Sequence, residues 1–135
     1  MQVQPYLFFD GRADEALEFY KKAVGAAPKM VMRFKDAPDQ SMFPPGSENK
    51  VMHAAVEIGD STVLISDGRC TGKANFQGFS LVVSAASEAE ADGIFGALGE
   101  GGQVTMPMAK TFFAKRFGML TDKFGVGWMV IVPQQ

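Results

Sequence analysis

Two spacings of apolar residues alternate along this chain, and glycines mark most of the changes between them. Residues 3–9 form a nearly unbroken apolar, aromatic run, which predicts a strand buried on both faces. Asp10-Gly11-Arg12 breaks it. From Arg12 to Val24 the spacing becomes helical, with Ala16, Phe19, Tyr20 and Ala23 on one stripe. Lys21 and Lys22 fall in the last turn, where cations favour the helix dipole, and Gly25 ends the helix. Lys29 to Lys35 alternates Met30, Met32 and Phe34 against Val31 and Arg33, a second strand. Asp36 to Asn49 carries prolines, Gly46 and serines and reads as an exposed loop. Val51–Ile58 and Thr62–Ser66 form a hairpin about Gly59-Asp60-Ser61.

The second half follows the same order. Phe79 to Ser84 is a strand. Ser87 with Glu90 three residues on is a capping-box pattern that opens a helix running to Leu98, and Gly99 stops it. Gln103–Met108, Phe117–Thr121 and Trp128–Val132 are the remaining strands, with Asp122-Lys123-Phe124-Gly125 turning into the last.

Residues 5–34 therefore align with residues 80–109, and Ile58–Ile65 with Phe124–Ile131. Each half is a βαβββ unit. The fold class is α+β: module one at 1–68, a linker at 69–77 and module two at 78–135 within one domain, forming a curved mixed sheet around a cleft.

Bulk properties narrow the function classes. A chain of 135 residues, 47% hydrophobic and 21% charged, suits one globular domain. The net charge of −2 argues against a nucleic-acid partner. No apolar run approaches the ~20 residues needed to cross a bilayer, and no secretory signal opens the chain, so a cytoplasmic protein is expected. The single cysteine, Cys70, has no partner for an internal disulfide. It sits near Arg69 and Lys73 in the glycine-rich linker and reads as an ordinary thiol.

Pro5 to Gly25, Val51 to Gly68, Gly78 to Ser84 and Lys110 to Val130 together resemble the PhnB-like branch of the vicinal oxygen chelate superfamily. That superfamily also holds glyoxalase I, the bleomycin- and fosfomycin-resistance proteins and the extradiol dioxygenases. The resemblance implies paired βαβββ modules and a homodimer. It also implies four metal-ligand positions on the first and last strands of each module. These fall within about one residue of Pro5, Val63, Ser80 and Met129, none of them a good ligand for a first-row metal. The expectation is no metal and no cofactor. Some family members carry a ubiquinone-methyltransferase label. This chain has no glycine-rich strand–turn–helix of the dinucleotide type, because Gly99 to Gly102 follows a helix instead of opening one.

Candidate chemistry is sparse. His53, the sole histidine, has a pKa range suited to acid–base work, but no nucleophile is spaced to pair with it. Asp67 and Lys110 are the other acid–base candidates. Lys110 to Arg116 (KTFFAKR) interleaves three cations with Phe112 and Phe113, a mixture suited to an anionic ligand with an apolar body. Lys110, Phe112, Phe113 and Arg116, with Trp128 and Met129 of the last strand, make up the candidate ligand-binding set. Two readings follow. One is a metal-independent protein that sequesters a small molecule. The other is an enzyme acting on a small metabolite.

Overall fold

The computed structural model describes residues 1–39, 41, 45–68 and 73–134, and the chain divides into two compact units, Met1–Ala74 and Asn75–Gln135. The division falls inside the expected linker. Cys70 and part of the expected 36–49 loop lie outside the described residues.

The first unit runs β1 (Tyr6–Phe8), α1 (Ala13–Val24), β2 (Ala27–Arg33), a 3₁₀ turn at Phe34–Asp36, β3 (Val51–Ile58) and β4 (Ser61–Ser66). Its sheet has the order β1-β4-β3-β2, with β1 parallel to β4 and the other pairs antiparallel. The second unit runs β5 (Leu81–Ser84), α2 (Glu88–Leu98), β6 (Gln103–Ala109), β7 (Ala114–Thr121) and β8 (Gly127–Pro133). Its order, β5-β8-β7-β6, repeats that of the first, again with one parallel pair. The fold is thus α+β with two βαβββ modules, realised as two four-stranded mixed sheets.

Local chemistry accounts for the helix ends. Gly25 adopts φ 70, and its N–H returns to Lys21, closing α1 with a left-handed residue that a side chain would strain. Ser87 Oγ accepts the N–H of Glu90 at 3.1 Å. The answering Glu90 carboxylate accepts from Ala86, one residue short of the expected reciprocal bond.

Each helix covers one face of its own sheet. On α1, Ala13, Ala16, Leu17, Tyr20 and Ala23 are buried, whereas Phe19, expected on the same stripe, is only half-buried. Phe9 meets Tyr20 with ring centroids 6.1 Å apart, so Leu7, Phe9, Ala54, Val56, Val63 and Ile65 form the helix-side core. On α2, Phe95 lies over Gly118. A β-carbon there would come within 2.7 Å of the Phe95 ring and 2.6 Å of Met108 Sδ, so the close packing of helix on sheet requires glycine. Leu120, Trp128, Val130 and Val132 are buried on this side.

One-sided covering corrects the reading of the first strand. Residues 3–9 were expected to be buried on both faces. Instead Leu7 is 2% exposed while Tyr6 and Phe8 are 39% and 48% exposed. Alternate side chains of a strand point to opposite faces, and only the helix face is covered within the unit.

Candidate functional site

The face of the first sheet turned away from α1 gathers residues from all four strands. Tyr6 pairs with Leu64, Leu64 with Ala55, Ala55 with Met30, and His53 with Met32. Those rungs put Tyr6, Phe8, Met30, Met32, His53 and Leu64 on one surface. Tyr6 and Phe8 are stacked, with centroids 4.7 Å apart and planes 5° from parallel. The Tyr6 hydroxyl lies 2.6 Å from His53 Nδ1, and the imidazole stands edge-on to the phenol ring at 5.4 Å. Burial pushes the Tyr6 phenol above its usual range, and the neighbouring Ser66 hydroxyl partly offsets the rise. Ser66 is itself held, donating to the Met52 carbonyl at 2.7 Å and accepting from Gly68. At the outer edge Lys29 and Glu57 form an ion pair at 3.0 Å.

Tyr6 is absent from the candidates drawn from the sequence. The missing signal is positional. Tyr6 and His53 meet only through β4 and β3, across 47 residues of chain.

Asp67, one of the acid–base candidates, is a structural clamp in the fold. It is 0% exposed. One carboxylate oxygen accepts the N–H groups of Gly11 at 2.7 Å and Ala13 at 2.9 Å; the other accepts Val51 N–H at 2.9 Å. The carboxylate therefore satisfies the start of α1 and ties it to β3, leaving no exposed oxygen for chemistry. The turn it holds contains Asp10 at φ 50, a conformation few side chains adopt.

The second unit separates its candidates. Trp128 is 3% exposed on the α2 side, and its indole N–H donates to Asp122 at 2.8 Å. Met129, its neighbour, lies on the opposite face, cross-strand from Val82 and Met119. Arg116 reaches back to α2, where its guanidinium donates to Asp92 at 2.7 and 3.1 Å, so its charge is already matched. Phe112 is 96% exposed and meets Phe113 edge-on at 5.2 Å; Phe113 in turn contacts Phe117 at 5.1 Å. Lys110 is exposed just ahead of these rings. KTFFAKR thus presents exposed aromatic rings, with one of its cations paired to Asp92.

Comparison with known proteins places this geometry. A family model described as 3-demethylubiquinone-9 3-methyltransferase matches residues 1–131. The chain belongs to that family. Protein YjdN of Escherichia coli (strain K12) is 34% identical over 143 residues, covering 100% of this chain and 97% of YjdN. The structure of PA1353 from Pseudomonas aeruginosa superposes with a TM-score of 0.87 at 38% identity, covering 100% of this chain and 99% of that one. The fold extends further. A glyoxylase/bleomycin resistance protein/dioxygenase domain from Frankia sp. EAN1pec gives a TM-score of 0.65 at 13% identity over 98% of this chain and 95% of that one. The PhnB-like assignment and the vicinal oxygen chelate fold both hold.

The metal-ligand positions that the resemblance implies fall on the first and last strand of each module. Here the uncovered-face pairs at those strands are Tyr6 with Leu64 and Val82 with Met129, while Val63 is buried on the helix side. In neither unit does the pair, a phenol with an aliphatic side chain or an aliphatic side chain with a thioether, suit a hard cation. Among the described residues, no three His, Cys, Asp or Glu side chains converge.

Proposed function

We propose that this PhnB-like chain is a metal-independent small-molecule binding protein, whose ligand is a flat, mostly apolar molecule seated on the Tyr6–Phe8–His53 face. The observation that carries the proposal is the exposed, stacked Tyr6–Phe8 pair with a polar Tyr6–His53 contact at its edge. Stacked rings offer a π surface, Met30 and Met32 adapt to its outline, and the polar pair fixes orientation. The aromatic surface of Lys110, Phe112 and Phe113, with Met129 on the uncovered face of β8, is proposed as a second contact region.

The second reading, an enzyme acting on a small metabolite, is favoured by the same short Tyr6–His53 distance. Imidazole and phenol together form an acid–base pair. A homodimer and a cytoplasmic setting are part of the proposal. The support for the first is the apolar exposure of Val3, Val82 and Phe112; for the second it is the single cysteine. Among the described residues no helix is long and apolar enough to cross a membrane.

The test is thermal unfolding with a panel of flat-ring compounds, with and without EDTA. Binding to the folded state raises the melting temperature. Stabilisation by ring compounds that Phe8→Ala removes and EDTA leaves intact is expected. Stabilisation that needs added zinc, nickel or iron overturns the metal-independent reading.

A further inference from the structure

Resting on the binding reading above, we infer that Tyr6 and His53 form a proton relay that selects a ligand carrying a weakly acidic hydroxyl, a phenol or enol on a flat ring. The direction of the Tyr6–His53 hydrogen bond carries the argument. At 2.6 Å the two atoms share one proton. A phenol is a stronger donor than a neutral imidazole N–H, and an imidazole nitrogen is a stronger acceptor than a phenol oxygen. In the Nε2–H tautomer of a neutral imidazole, the shared proton therefore sits on Tyr6 and points at Nδ1.

Among the described residues, no carboxylate hydrogen-bonds to His53. Cross-strand on β2 stands Met32, and on β1 stands Tyr6. Glu57, further along β3, is paired with Lys29. Arg33, at the far side of Met32, is engaged by Asp14. On β4 the Ser66 hydroxyl, also a neighbour of Tyr6 Oη, donates to the Met52 carbonyl and already accepts from Gly68. With its own proton turned toward His53, Tyr6 Oη offers its lone pairs to a further donor. The group that matches them is a ligand O–H, aligned by a ring stacked on the exposed aromatic pair. Chained hydrogen bonds of this kind polarise one another.

Where the ligand hydroxyl is acidic enough, the relay completes a transfer. The ligand O–H bond breaks and its proton goes to Tyr6 Oη. The Tyr6 proton goes to His53 Nδ1, leaving a ligand oxyanion beside an imidazolium. Net charge is unchanged and no other reactant is needed.

His53 is the sole histidine, so its ring signals are assigned without ambiguity. Nitrogen NMR at a pH of about 8, above the ordinary imidazole range, is expected to show an unprotonated Nδ1 that Tyr6→Phe perturbs. A protonated Nδ1 there overturns the relay. The ligand arm uses 4-nitrophenol and its methyl ether, 4-nitroanisole, which keeps the ring but lacks the hydroxyl. The wild type is expected to bind the phenol about tenfold more tightly than the ether, the scale of one hydrogen bond, with the bound phenol absorbing as the phenolate. Tyr6→Phe, checked for folding by circular dichroism, should bind both alike. His53→Gln keeps an acceptor for Tyr6 and should lose the phenolate absorbance. Equal binding of phenol and ether by the wild type overturns the relay and leaves the aromatic face standing. Binding of neither probe overturns the face as well.

Discussion

The indole of Trp128 donates to the carboxylate of Asp122 across the turn that joins β7 to β8, at 2.8 Å. The same aspartate accepts the N–H groups of Phe124 and Val126 at 2.9 and 3.1 Å. It therefore shapes the turn and fixes the one tryptophan against the core of the second unit. Asp122→Ala strands three buried donors. A loss of about 3 kcal/mol is expected in urea unfolding, with a red shift of the native tryptophan emission. Unchanged emission would contradict the indole bond.

Asp67 plays the corresponding part in the first unit by another route, linking the β1–α1 turn to β3. Asp67→Ala should destabilise by about 3–5 kcal/mol, since it leaves three backbone N–H groups without an acceptor. Asp67→Asn should recover part of this, because one oxygen still serves Gly11 and Ala13 while its amide opposes the Val51 donor. Equal stability of all three proteins by chemical denaturation would remove the clamp.

Tyr6 gives a pH signature. Its folded phenol titrates above the unfolded value near 10. Above that value the unfolded chain releases its proton first, so the folded state binds more protons and stability falls as pH rises. Full stabilisation is present below about pH 10. In alkaline unfolding the wild type should lose stability more steeply than Tyr6→Phe. Parallel curves for the two proteins would count against a perturbed phenol.

The homodimer is checked by light scattering at micromolar concentration. β1 and β5 each pair on one side only within their sheets, and Phe112 is 96% exposed. A dimer mass is expected, with Phe112→Asp shifting the protein toward monomer. A monomer mass for the wild type over the whole range would remove the proposed homodimer.

Helix and strand order, the repeat and the family were legible in the sequence because they rest on local chemistry. Apolar spacing of 3.6 or 2, the Gly25 cap and the Ser87–Glu90 signal act within a few residues. Which face of each sheet a helix covers is a tertiary decision, and the candidate residues turn on it. Trp128 and Met129 adjoin in the chain, yet one is core and the other lies on the uncovered face. Asp67 reads as a reactive carboxylate until three distant N–H groups are seen to converge on it. Tyr6 and His53 become a pair only when β1 docks parallel to β4 and β4 pairs with β3. The chain alone sets the period of each segment; long-range strand pairing sets which side chains meet, because a pleated strand turns every second residue away.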